Sequence, residues 1–183
     1  MPEIYQPEED SYLISEVLKK ELPKILKFNH ELNFLEIGIG SGINLKAALK
    51  SGIKKENILG TDINEEAVNH CINLGFDCIK SDLFDKVNGK FNVIAFNPPY
   101  LPEDEKEPVD SRRETTGGEK GNELTIKFIQ EAGDYLKENG VIFVVTSSLS
   151  KRIGFDYFGY NAEEVGHKNL FFEKLSVWKL EVK

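Results

Sequence analysis

Between Phe91 and Asp104 the chain reads FNVIAFNPPYLPED. An apolar run ends at Asn97, and two prolines and a tyrosine follow. The proline after Asn97 disfavours helical geometry and pushes that residue towards the extended region. Pro98 and Pro99 lack backbone donors and hold φ near −65°. The expected result is a stiff turn that presents two acceptors, the Asn97 side-chain oxygen and the Pro98 carbonyl. Two acceptors aimed at one point form a clamp for a planar NH₂ group, and Tyr100 would add a flat wall for the rest of the acceptor. An amide or aromatic amine is a poor nucleophile because its lone pair is delocalised. Accepting both of its N–H bonds orients the nitrogen and stabilises the positive charge that grows on it during attack. That is positioning plus electrostatics, with no strong base required.

Three earlier segments bear residues suited to a nucleoside. LEIGIGSG (35–42) is a short apolar run entering glycines, where Gly38, Gly40 and Gly42 let the backbone turn tightly and approach a ligand. Its spacing is G-x-G-x-G, which departs from the dinucleotide fingerprint G-x-G-x-x-G. GTDI places Asp62 20 residues after Gly42, where a carboxylate can accept hydrogen bonds from both hydroxyls of a ribose. KSDLF supplies Asp82, an acceptor for an adenine amino group, and Leu83, a cover for a ring face. The phosphate-binding pattern G-x-x-x-x-G-K-[ST] is absent. An uncharged nucleoside joined to an amino acid fits better than ATP, and S-adenosylmethionine is such a molecule.

These residues need strands that end side by side. Residues 9–20 carry Leu13, Ile14, Val17 and Leu18 at helical spacing. Strands are expected at 33–40, 57–63, 77–83, 90–96 and 141–148, the last buried on both faces because it lacks polar alternation. Helices are expected at 43–51, from an Asn64 N-cap to Gly75, and at 122–138, ended by Asn139-Gly140. Two more strands, about 161–166 and 174–182, flank KNLFFE. Strands alternating with helices predict an α/β fold, a parallel sheet covered on both faces, with ligands outside the carboxyl ends of its strands. The 21 residues from Leu101 to Gly121, including acidic 103–110 and then Arg112 and Arg113, are the expected lid.

Composition narrows the classes. The 183 residues suit one domain, with 1–30 as an N-terminal helical cap and 31–183 as the catalytic core. A net charge of −8 counts against nucleic acid as the main partner. No apolar stretch approaches the roughly 20 residues that span a bilayer, so no membrane partner is expected. The acidic, polar start, MPEIYQPEED, does not suit a signal or transit peptide and points to a cytoplasmic protein. Cys71 and Cys78 are expected as reduced thiols. His30, His70 and His167 have no second ligand at metal spacing, so no metal is expected.

LEIGIGSG, TDIN, SDLF and FNPPY together resemble class I S-adenosylmethionine-dependent methyltransferases of the NPPY type. YQPEEDSYL near the start and GGEKGNEL (117–124) narrow the resemblance to the short archaeal and eukaryotic branch of the HemK-like protein-glutamine methyltransferases. It covers residues 4 to about 148 and resumes over KNLFFEKLSVWKL. The resemblance implies a Rossmann-like, seven-stranded, mostly parallel sheet with an antiparallel last strand. It implies that Glu36, Gly38 and Gly40 line the methionine and ribose region and that Asp62 holds the ribose. Asp82 and Leu83 would frame adenine, and Ser11 would touch the amino-acid end of the cofactor. Asn97 would contact both cofactor and substrate. The implied substrate is the glutamine of the Gly-Gly-Gln motif in a class 1 peptide release factor, and the implied partner is a small zinc-binding activator. NPPY is shared with adenine-N6 methyltransferases of RNA or DNA, so it specifies an NH₂ acceptor without choosing between them. A non-catalytic S-adenosylmethionine-binding module would have no use for the acceptor clamp. The chain departs from the family after the fifth strand, where SLSKRIGFDYFGYN leaves room for only a turn or two of helix, broken by Gly154. It also shows no N-terminal recognition domain like that of the longer bacterial relatives, so loops or a partner are expected to select the substrate.

Overall fold

The computed structural model describes residues 6–103 and 115–183. Helix α1 (Glu9–Leu26) leads into β1 (Phe34–Ile37), α2 (Ile43–Lys50), β2 (Ile58–Asp62), α3 (Glu65–Asn73), β3 (Asp77–Lys80) and β4 (Phe91–Phe96). Then come α4 (Glu123–Ala132), β5 (Leu136–Ser147), β6 (Tyr160–Asn169) and β7 (Lys174–Val182). The seven strands form one sheet in the order β3-β2-β1-β4-β5-β7-β6. All pairings from β3 to β5 are parallel, and β7 runs antiparallel to both of its neighbours. This is the seven-stranded, mostly parallel sheet with an antiparallel last strand that the resemblance implies.

Alternating side chains build the two apolar layers, because successive residues of a strand face opposite sides. Phe34, Val93, Ala95, Val141, Phe143 and Val145 pack on one face with α1, α2 and α3. Leu35, Ile37, Ile94, Phe96, Ile142 and Val144 pack on the other with Phe128, Ile129 and Ala132 of α4. The run Val141–Val145 is buried at every position, as its unbroken apolar sequence requires.

Four elements differ from the sequence expectation, the first being β5, which begins at Leu136, five residues before its expected start, so that Asn139-Gly140 lies within the strand and does not end the helix. Helix α1 runs six residues beyond Lys20, to Leu26, and passes through Pro23. Pro23 is exposed, while buried Leu22 and half-buried Ile25 and Leu26 keep that turn packed. Helix α4 stops at Ala132 instead of 138 and tightens into a 3₁₀ turn at Gly133–Tyr135. The Tyr160 hydroxyl donates to the Ile129 carbonyl at 3.1 Å, in the last turn of that helix. Tyr135 stacks on Phe84 at 4.5 Å, and Leu136 pairs with Phe91 in the sheet. Sheet pairing and aromatic packing therefore override the helical spacing of Tyr135 and Leu136. Strand β6 extends to Asn169, three residues past its expected end. After β5 the chain forms only a 3₁₀ turn, Phe155–Phe158, so the shortened crossover predicted there is present.

Candidate active site

Strand β1 pairs with β2 on one side and β4 on the other, so the strand order reverses there. Ligand sites of open α/β sheets lie at the carboxyl ends of such strands. A cleft of about 940 Å³ opens there. Ser11, Glu36, Gly38, Gly40, Asp62, Asp82, Leu83, Asn97, Pro98 and Pro99 all line it. Residues spread from 11 to 99 in sequence thus meet around one cleft.

The glycine loop is built as its sequence requires. Gly38, Gly40 and Gly42 have φ of +67°, +45° and +73°, a region that disfavours side chains. A Cβ on Gly42 would also lie 2.8 Å from the Cys71 sulfur. Cys71 and Cys78 are buried free thiols, and the Cys78 thiol beside it together with burial pushes the Cys71 pKa up. They pack the floor of the loop.

Each Asp62 oxygen is held by the backbone. Oδ2 accepts from the Gly40 N–H at 3.0 Å and Oδ1 from the Asn64 N–H at 2.8 Å. Burial raises the Asp62 pKa, and these backbone donors work against the rise. Asn64 caps α3 through the Glu66 N–H at 3.0 Å, so the helix cap does not fall to Asp62. Asp82 sits half-exposed at the rim, 3.6 Å from Lys127 of α4. Leu83 is buried beside it with φ of +44°, a strained backbone for a non-glycine residue.

Glu36 is fully buried, and its Oε1 accepts from the Asn44 amide at 2.8 Å. Its Oε2 has no hydrogen-bond partner. Burial raises the Glu36 pKa well above the ordinary carboxylate range, and the Asn44 amide opposes that rise. The native state therefore holds this proton more tightly than the unfolded chain does. The ligand-free protein is accordingly most stable at low pH on this account. It loses that stability as pH climbs from the ordinary carboxylate range through the raised value. Glu36→Gln is expected to flatten that slope and raise the melting temperature at neutral pH, by roughly 2–4 °C for each ~1 kcal/mol regained. Melting curves of both proteins across pH would check this, and parallel curves would contradict it.

Asn97 is the centre of the site. Its Nδ2 donates to Asp10 Oδ2 at 3.1 Å, and its Oδ1 is buried with no partner. A carboxylate accepts hydrogen bonds and cannot face the amide oxygen, so Asp10 fixes which way the amide points. Asp10 is itself held, since its Oδ1 accepts from the Ser11 N–H at 2.6 Å and from the Ser11 hydroxyl at 3.2 Å. Sequence reasoning missed Asp10. Its only signal was an acidic residue next to Ser11, 87 positions from Asn97.

Tyr100 departs from expectation. It does not line the cleft; it is half-buried and packs against the core layer beneath α1. The backbone of 115–121 packs against the NPPY turn. Leu101 N–H donates to Thr115 O at 2.8 Å, and Gly117 N–H to Leu101 O at 2.9 Å. A Cβ on Gly117 would collide with the Pro99 and Gly121 carbonyls, and one on Gly121 with that of Tyr100. The expected lid is therefore anchored at both ends beside the clamp. Its residues 104–114, with Arg112 and Arg113, lie outside the described residues.

The model of the methyltransferase small domain family matches residues 13–154, three quarters of the chain. The chain belongs to that family. It is an S-adenosylmethionine-dependent methyltransferase, and the HemK-like resemblance read from its motifs agrees with its relatives. A protein of Methanocaldococcus jannaschii, provisionally named a protein N5-glutamine methyltransferase, is 42% identical over 159 residues, 81% of this chain and 75% of the relative. The eRF1 methyltransferase catalytic subunit mtq2 of Schizosaccharomyces pombe is 26% identical over 174 residues, 81% of this chain and 74% of that one. The release factor glutamine methyltransferase of Fusobacterium nucleatum is 32% identical, but the chain spans only 40% of its length. Among solved structures, the E. cuniculi Mtq2-Trm112 complex superposes with a TM-score of 0.71 at 22% identity, covering 100% of both chains.

The cleft of this methyltransferase fits the cofactor. The unpartnered Glu36 Oε2 is a buried acceptor suited to a cationic group, and the glycine loop leaves room for a ligand against the backbone. Among the described residues, no helix is long and apolar enough to cross a membrane.

Proposed function

We propose that this methyltransferase methylates the side-chain amide nitrogen (N5) of the glutamine in the Gly-Gly-Gln motif of a class 1 peptide release factor. One observation carries the proposal: the Asn97 amide is locked by Asp10 so that its oxygen stands as a buried, unpartnered acceptor beside Pro98 in the cleft. A primary amide has two N–H bonds to place against such acceptors. The names of the relatives, which are glutamine and release factor methyltransferases, support the same acceptor.

S-adenosylmethionine, when bound, supplies a methyl group made electrophilic by the adjoining positively charged sulfur. Asp62 takes the ribose hydroxyls with the acceptor capacity left over from its two backbone bonds. Glu36, Gly38, Gly40 and Ser11 receive the amino-acid end, and Asp82 and Leu83 frame the adenine. Asn97 Oδ1 and the Pro98 carbonyl hold the acceptor nitrogen and stabilise its growing positive charge. Pro98 and Pro99 keep the turn stiff, while Tyr100 anchors the turn to the core rather than walling the substrate.

Asp10 acts through Asn97. Asp10→Ala frees the amide to flip and removes a charge-assisted bond of roughly 1.5–3 kcal/mol. The expected loss in kcat is about 10–100-fold, with a smaller change in cofactor affinity. Kinetics beside cofactor titration would measure both, and an unchanged kcat would refute the positioning role.

The E. cuniculi complex with Trm112 supports a small partner subunit for this chain, and we read that partner as a zinc-binding activator. The chain works in the cytoplasm as one methyltransferase domain, with residues 1–30 as a helical cap on a 31–183 core. Incubating the protein, with its candidate activator and labelled cofactor, with release factor, RNA and DNA tests the acceptor class. Label on the factor alone is expected. Label on nucleic acid alone would replace glutamine by an adenine amino group.

A further inference from the structure

Phe171 and Phe172 are 97% and 81% exposed, with their rings edge to face at 5.3 Å. They form the tip of the β6–β7 hairpin, between the paired residues Asn169 and Lys174. The Leu170 N–H closes this turn on the Glu173 carbonyl at 2.7 Å. Two-residue hairpin turns favour Gly, Asn or Asp, whose backbones accept positive φ. Here two phenylalanines fill both central positions, and neither has positive φ. The tip thus forgoes favourable turn chemistry and holds two large apolar rings in water. Exposed apolar clusters of this kind mark interaction sites.

The position of the tip selects the partner. Strand β6 runs parallel to β4, because both β5 and β6 are antiparallel to β7. The tip therefore projects from the same carboxyl edge as Asn97. Three strand spacings separate β4 from β6 in the sheet, about 15 Å. Helix α1 ties the two places together. Asp10 of that helix holds Asn97, its neighbour Glu9 pairs with Lys168 beside the tip, and a Cβ on Gly166 would meet Val17 at 2.5 Å. Tyr12 of α1 and Leu149 after β5 are exposed as well. A small acceptor cannot span that distance, but a protein that inserts one loop at Asn97 can rest its flank on the tip. Around the hairpin Glu9 and Glu164 are paired with Lys168 and Lys174, so the charges there are balanced and offer no basic bed for a phosphate backbone.

We infer that the Phe171–Phe172 tip is a docking contact for the body of the acceptor protein, outside the loop that carries its reactive amide. The inference rests on the proposal that the acceptor belongs to a protein. Phenylalanine, with the other aromatic residues, is enriched at protein interfaces relative to the rest of the surface.

The full chain and its Phe171→Ser/Phe172→Ser variant, each with the candidate activator, would be titrated with intact release factor and with a short peptide holding its Gly-Gly-Gln segment. Because both rings are exposed, the variant should melt like the wild type and bind cofactor equally. Its affinity for the intact factor should fall about tenfold or more, with turnover of the peptide unchanged. Equal affinity of the two proteins for the factor would overturn the inference. So would an equal loss with the short peptide, or a loss confined to RNA binding or to self-association. A factor that binds through the tip and gains label at a residue other than its Gly-Gly-Gln glutamine would overturn the glutamine proposal and leave the docking contact standing.

Discussion

Asn97→Ala is expected to bind cofactor within a few-fold of the wild type and to lose about a hundredfold or more in kcat. The side chain supplies the acceptor that orients the amide nitrogen and meets its developing charge, a contact of about 3 kcal/mol in comparable sites. The ground-state loss is smaller, because a neutral amide makes a weaker bond than the charged nitrogen of the transition state. The fall should therefore appear in kcat more than in KM. Asn97→Asp is a useful companion. It places a second carboxylate against Asp10 Oδ2, and the like charges would push the side chain out of position. Steady-state kinetics with calorimetric cofactor titration would check both variants. Near-normal turnover of Asn97→Ala would remove the clamp from the mechanism.

Asp62→Ala is expected to weaken cofactor affinity by roughly a hundredfold. Two charge-assisted hydrogen bonds to a ribose account for about 3 kcal/mol at the low end of their range. The substitution also frees the Gly40 and Asn64 N–H groups that Asp62 now holds, so the glycine loop and the start of α3 loosen together. At saturating cofactor, kcat should recover most of its value, which separates this variant from Asn97→Ala. Titration calorimetry measures the affinity directly, and an unchanged value would contradict the ribose role of Asp62.

Much of the fold was legible because local signals agreed with the global pattern. Strands β1, β2, β3 and β4 each lie within their expected bounds, and Asn64 caps its helix as its type suggests. The failures have one physical source, contacts between segments distant in sequence. Helix α4 ends early because Tyr160, 31 residues on, bonds Ile129, and because Phe91 captures Leu136 in the sheet. Tyr100 packs against the core and the backbone of 115–121 against its turn, contacts that no spacing rule reveals.

The candidate site shows the same division. Glycines at a strand end and acidic residues one strand apart are local patterns, and the chain brings them to one cleft as expected. Asp10 was invisible because its role exists only through Asn97, and Asn44 because its role exists only through Glu36. Single residues that position others leave no periodic trace. They are found by asking where each buried polar atom finds its partner.

The methyl group is expected to reach a glutamine amide nitrogen. Fragment mass spectrometry of release factor incubated with this protein, its candidate activator and methyl-labelled cofactor would locate the group. Labelled methyl is expected on the side chain of the Gly-Gly-Gln glutamine, absent when that residue is replaced and formed far more slowly with Asn97→Ala. Methyl found on a lysine, or on a factor lacking that glutamine, would contradict that expectation.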